Sequence, residues 1–155
     1  MDTAYKTTLE LDKVLARAVQ LCACQETKEM MQALEPAPTI EDERYDLAQT
    51  NAINALLIKN GSPRFGSVRE VRRIVAHARK GGILSMGELL EIAATLRNFS
   101  GLSQWYGLSE HEMLPTDDLF FSLAPQPVLE KQISESILSP EEMADTASVT
   151  LHDLR

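Results

Sequence analysis

The sequence predicts a mainly α protein: an orthogonal or antiparallel bundle of about five to seven helices, with a short β-hairpin near residues 132–146. Three observations carry this expectation. Apolar residues recur at the 3.6-residue period of amphipathic helices. Hydroxyl and glutamate side chains stand three apart where helices would begin. Proline or glycine stands where they would stop. With 155 residues, 44% hydrophobic and 25% charged, the chain can bury one core unaided, so residues 1–155 are read as one helical domain.

The first helix rests on Leu11, Val14, Leu15, Ala18, Val19 and Cys22. It breaks near Gln25 and Glu26 into "TKEMMQAL" and halts at "EPAP", because proline cannot continue a helix and restricts the residue before it. In "TIED", Thr39 serves as N-cap with acids in the first turn, where the helix dipole favours them. This third helix runs to about Asn60 with Ile40, Leu47, Ile53 and Leu57 as its stripe, although Asn51 and Asn54 interrupt the apolar side; Gly61 and Pro63 end it. Ser67 with Glu70 and Ser85 with Glu88 are two capping boxes, opening the arms of a helical hairpin. Gly81 and Gly82 supply left-handed conformations at its turn. The second arm carries Met86, Leu89, Leu90, Ala93 and Leu96 on one face and reaches about Tyr106, with Trp105 and Tyr106 plugging the end. Beyond it, Pro115, Pro125, Pro127 and Pro140 divide the chain into a small helix near 117–123, another near 128–132, and the hairpin. "SVTLHDLR" begins a last helix, capped by Ser148 and cut off at Arg155, which reads as a piece of a longer protein. Leu151 and Leu154, left bare by that truncation, would drive an artificial homodimer.

The chemistry-bearing residues are sparse. Cys22 and Cys24, at i and i+2 on a helix, point apart and cannot form an unstrained disulfide, and no second ligand cluster makes them a metal site. Buried thiols in a reducing compartment are expected. His77, His111 and His152 are scattered singly, which suits surface or cap roles. No nucleophile elbow, phosphate loop or dinucleotide fingerprint occurs, and the acids at 41–43 and 141–142 stand at helix starts, where the dipole accounts for them. No catalytic, cofactor-binding or metal site is expected, and this chain is not read as an enzyme. There is no membrane-length apolar run and no export signal, which leads us to expect a cytoplasmic protein with no membrane partner.

One stretch departs from the acidic background. Residues 61–80 hold Arg64, Arg69, Arg72, Arg73, Arg79 and Lys80 against Glu70, a net +5 in a chain of net −8, which leaves −13 elsewhere. Nonspecific phosphate binding by the whole surface is therefore disfavoured, and any nucleic-acid contact must be local. On a helix over 67–80, Val68, Val71, Ile74, Val75 and Ala78 form one stripe, Arg69, Arg73 and Lys80 lie nearly opposite, and Arg72 and Arg79 flank the apolar edge. A solvated face and a face that engages phosphates or an acidic protein share this pattern. Both readings stand on the residues alone, although the helix lacks the aromatic residues of a single-strand platform.

The order of these pieces resembles a known family. "LELDKVLARAVQLC", "LEPAPTIEDERYDLAQTNAINALL", "GSPRFGSVREVRRIVAHARKGGILSMGELLEIAATLRNF" and "ADTASVTLHDLR" are similar, in sequence and spacing, to the amino-terminal region of second-subfamily bacterial MutS proteins. The "GSPRFG" and "RKGGILS" turns and the close at 145–155 are the most specific parts. Ser67 and Glu70 depart from a Gly and an Asp of the family pattern, Lys28 stands where a small residue is usual, and "SESILSPEE" replaces an acidic-Gly turn. The resemblance implies the amino-terminal part of a core or lever domain, lacking mismatch-reading domains, with a long lever helix starting at about 148–155. It further implies a parent protein that continues into lever helices, a clamp, an ATPase using ATP and Mg, and an Smr nuclease domain. Its partners would be the remainder of the same chain, and branched DNA, in suppression of homologous recombination, or collided ribosomes, in their rescue. Two functions follow: a non-catalytic module of such an ATPase, or an independent helical interaction domain whose basic helix 67–80 docks an acidic partner.

Overall fold

The computed structural model describes residues 10–64, 66, 69–108, 110 and 112–148. Among them, seven α-helices are followed by a two-stranded sheet and one short 3-10 turn. In chain order these are α1 (Leu11–Leu21), α2 (Gln25–Gln32), α3 (Ile40–Asn60), α4 (Arg72–Arg79), α5 (Met86–Tyr106), α6 (Asp117–Phe121) and α7 (Pro127–Ser136), then β1 (Ile137–Ser139), β2 (Glu142–Met143) and the turn Asp145–Ala147. The mainly α expectation and its hairpin are borne out. No described helix is long and apolar enough to cross a membrane.

The local signals act where the sequence puts them. At α3, the Thr39 hydroxyl accepts the Asp42 amide at 3.1 Å, and Glu41, Asp42 and Glu43 fill the first turn. At α5, Ser85 and Glu88 complete the capping box: the Glu88 amide donates to the Ser85 hydroxyl at 3.3 Å, and the Ser85 amide donates to the Glu88 carboxylate at 2.7 Å. Those Ser85 hydrogen bonds, the amide's foremost, hold the Glu88 carboxyl below its usual range. Pro127, whose missing N–H is no loss in a first turn, opens α7. After α4 the chain makes a Schellman turn, with the Gly81 amide bonded to Ala78 and the Gly82 amide to His77. Gly81 alone of the pair is left-handed, at φ 80°.

Helix α5 is the spine, with a core cluster toward each end. Ala93 meets Ile133 of α7 and Ile137 of β1, with Met86, Leu89 and Leu90 packed around them. Outside that cluster, Arg97 ties α5 to α7 by donating to Glu130 at 3.0 Å through Nε and to Ser134 at 3.0 Å. At the other end Trp105 and Tyr106 close over Leu56 of α3, flanked by Ile53, Leu57, Leu114 and Phe120. The two long helices are also stitched reciprocally: the Trp105 indole N–H donates to the Gly61 carbonyl at 2.8 Å, and the Asn60 amide donates to the Trp105 carbonyl at 3.3 Å. Tyr106 stacks on Phe120 with ring centroids 3.9 Å apart, and its hydroxyl meets the fully buried Thr116 at 2.8 Å and the Asp117 carboxylate at 2.6 Å. The expected plug of Trp105 and Tyr106 is present.

Several expectations need correction. In α3 the buried residue is Leu56, while Ile40 and Leu47 are 67% and 54% exposed. The helix has apolar residues on several sides, so its sequence does not single out the packed face. The basic helix starts at Arg72 and not at 67, because Arg69, Glu70 and Val71 are not helical; Ser67, and with it the first capping box, lies outside the described residues. Helix α7 extends to Ser136, so Ile133 packs from a helix and the hairpin narrows to 137–143. Cys22 and Cys24 flank the break between α1 and α2 and are half-buried, not fully buried as expected. The helix expected at 148–155, with Leu151 and Leu154, lies beyond the described residues.

Candidate functional site

The basic stretch is anchored at a few points. Pro63 is buried, and the Gly66 amide donates to the Asn98 side-chain oxygen of α5 at 3.1 Å. A Cβ at Gly66 would fall 2.2 Å from that oxygen, so a side chain there would displace the Asn98 amide and break this bond. Farther on, Ile74 is buried, and the Schellman turn fixes the exit of α4.

Arg64, Arg69, Arg72, Arg73, Arg79 and Lys80 are all exposed. The structure gathers Arg72, Arg73, Arg79 and Lys80 on or beside α4 and leaves Arg64 and Arg69 outside that helix, N-terminal to it. Of the proposed apolar stripe, Ile74 is buried and Val71 half-buried, Val75 and Ala78 stay exposed, and Val68 is not among the described residues. Arg72 meets Glu26 of α2 at 3.3 Å. Such an exposed pair contributes little to stability, on the order of 0–1 kcal/mol.

The start of α4 is electrostatically unlike that of α3 or α5. Its N-cap is Val71, which offers no side-chain oxygen, and its first turn holds Arg72 and Arg73 with no acid. Two cations at the positive end of a helix dipole oppose helix formation, whereas Arg79 and Lys80 at the other end favour it. The amides of a first helical turn, here flanked by Arg72 and Arg73, suit an anion. The arginines can equally meet carboxylates, as Arg72 meets Glu26.

The other candidates assemble into no reaction centre. His77 is exposed on α4, while His111 and His152 lie outside the described residues. The Cys24 thiol accepts or donates a hydrogen bond with Thr27 at 3.0 Å, which draws its pKa down, and Cys22 bonds the Ala18 carbonyl at 3.4 Å. Among the described residues no group of three or more His, Cys, Asp or Glu could hold a metal ion. One feature escaped the sequence reading: a groove of about 710 Å³ between α1, α3 and the segment that joins α2 to α3. Its residues are far apart in sequence and follow no motif.

No family model matches the chain, and no solved structure matches it significantly. Curated relatives do. The protein named Endonuclease MutS2 from Clostridium beijerinckii is 29% identical over 149 residues, covering 95% of this chain and 19% of the relative. Endonuclease MutS2 from Ruminiclostridium cellulolyticum is 31% identical over 157 aligned residues, covering 100% of this chain and 20% of the relative. Endonuclease MutS2 from Lachnospira eligens is 29% identical over 155, covering 100% and 19%. This chain is thus homologous, over its whole length, to a segment making up about one-fifth of the Endonuclease MutS2 proteins it matches, as its resemblance to second-subfamily MutS proteins implied.

Proposed function

We propose that this chain is a non-catalytic structural module of a MutS-like, DNA-acting ATPase, and that the basic surface over residues 64–80 faces nucleic acid. The similarity over the full 155 residues to Endonuclease MutS2 proteins carries the reading. In it, the module roots the lever and relays the ATPase state toward the clamp, a role suited to packed helices with two discrete arrangements. ATP and Mg belong to the parent ATPase, and nuclease action to other parts of the parent. Its target is branched DNA or the ribosome, in recombination suppression or collided-ribosome rescue.

The composition of α4 supports the nucleic-acid face. A helix that starts with Arg72 and Arg73 and no acid gives up local stability, as a surface shaped for an anion would. The runner-up, an interaction domain docking an acidic protein, draws support from the Arg72–Glu26 pair, in which this face already meets a carboxylate.

Titration of a four-way DNA junction at rising salt tests the proposal. Each phosphate contact steepens the plot of log affinity against log salt by roughly 0.9. Replacing Arg69, Arg72 and Arg73 together by Ala should flatten that slope by about 2 to 3 units. A junction left unbound at low salt, with polyglutamate bound instead, would turn the assignment to the acidic-partner reading.

A further inference from the structure

We propose that the groove between α1, α3 and the α2–α3 connection is a docking site for a partner's amphipathic helix with an apolar stripe and basic flanks. This inference is independent of the reading above, since the groove shares no residue with the 64–80 surface.

The groove's chemistry is one-sided. Leu15, Leu34, Leu47, Ile53 and Leu119 line it, and Leu34, Leu47 and Leu119 are each more than half exposed. Three apolar side chains so exposed in one concavity mark a surface meant to be covered. Among the described residues its charged lining is Glu35, Glu43 and Asp46, all acidic, with Glu43 also accepting the Ala37 amide at 3.2 Å. A guest with an apolar face and cationic edges complements both properties.

Shape and hydrogen bonding select a helix. The lining on α3 from Glu43 to Ile53 runs about 15 Å, close to three helical turns. The described strands, β1 and β2, lie elsewhere, so an extended peptide finds no sheet edge to join here. A small polar ligand would need convergent donors, and the described side-chain donors here have partners: Gln49 donates to the Pro115 carbonyl, Thr50 to the Asp46 carbonyl, and Thr116 pairs with Tyr106. A second copy of this chain fits poorly, because its basic helix α4 has eight residues and turns its Ile74 inward.

The test is fluorescence anisotropy with the 155-residue chain and a labelled 18-residue Leu/Lys peptide whose leucines follow i, i+3, i+4, i+7, beside a scrambled peptide of the same composition. The patterned peptide should bind saturably and about tenfold or more tighter than the scramble. Two paired variants address floor and rim separately: Leu34→Ser with Leu47→Ser, and the near-isosteric Glu43→Gln with Asp46→Asn. Both pairs alter exposed residues, and each should weaken binding about tenfold while far-UV circular dichroism stays unchanged. No saturable binding, equal binding of the scramble, or binding that neither pair alters overturns the proposal. Sedimentation that reveals self-association abolished by both pairs makes a second copy the occupant, and overturns it as well.

Discussion

Replacing Leu56 by alanine should loosen the joint between the two longest helices. Leu56 is 4% exposed and lies against Trp105 and Tyr106. Burial of this kind makes Leu→Ala cost about 2 to 5 kcal/mol, the spread reflecting how far the neighbours can collapse into the space. Here Ile53, Leu57, Leu114 and Phe120 are only partly buried and can move inward, which puts the expectation near the lower end, about 2.5 to 3 kcal/mol. Ile58→Ala, two residues on in the same helix and 80% exposed, is the control and should stay within about 0.5 kcal/mol. Trp105 is the chain's one tryptophan, so its fluorescence during urea unfolding reads this joint directly. With a slope of about 2 kcal/mol per molar urea, the Leu56→Ala midpoint should fall by roughly 1.3 M. A shift no larger than that of Ile58→Ala would refute the packing argument.

Four further outcomes follow from the described contacts. Ser85→Ala removes the cap of α5 and should cost about 1 kcal/mol in chemical denaturation. Because the folded Glu88 carboxyl is held below its ordinary 4.5, its contribution is present above that pH and is lost as pH falls through the folded value; the gap in thermal midpoint between the parent and Glu88→Ala should therefore close on acidification. Gly81→Ala meets no steric obstacle but forces a side chain into φ 80°, so it should cost about 1 to 2 kcal/mol. Gly82→Ala should cost less, as the His77 ring in its way is exposed and can swing aside. Tyr106→Phe leaves the buried Thr116 hydroxyl without its partner and should cost about 1 to 2 kcal/mol. Adding Thr116→Val should then cost little more, a coupling that a double-mutant cycle measures.

What could be read from the sequence was what neighbouring residues decide among themselves. Thr39, the Ser85–Glu88 box, the proline stop after α2 and the glycine turn after α4 are short-range hydrogen-bonding or dihedral facts, complete within a few residues. Packing choices were not legible. The apolar residues of α3 surround it, so only the position of Trp105 decides that Leu56 faces inward while Ile40 and Leu47 do not. Ile133 and Ile137 suit a helix face at i, i+4 and a strand equally, and contact with Ala93 settles one into α7 and the other into β1. The six basic residues were found by charge alone, yet the true start of α4 was not, because no side-chain cap announces Val71. The acidic groove left no mark at all, since its walls come from three separate parts of the chain.

The manner in which α3 is held has a mechanical corollary. Its last turns are clasped by Leu56, Asn60 and the Gly61 carbonyl, and nearer its start the Pro115 carbonyl receives both the Tyr45 hydroxyl at 3.0 Å and the Gln49 amide at 2.9 Å. About 24 Å of helix separates Leu56 from Ile40, so a tilt of about 5° at the clasp would carry the far end through roughly 2 Å. That tip bears Glu41, Asp42 and Glu43. Any such tilt would move three negative charges together, so a push on the rod would also redraw the electric field at its far end.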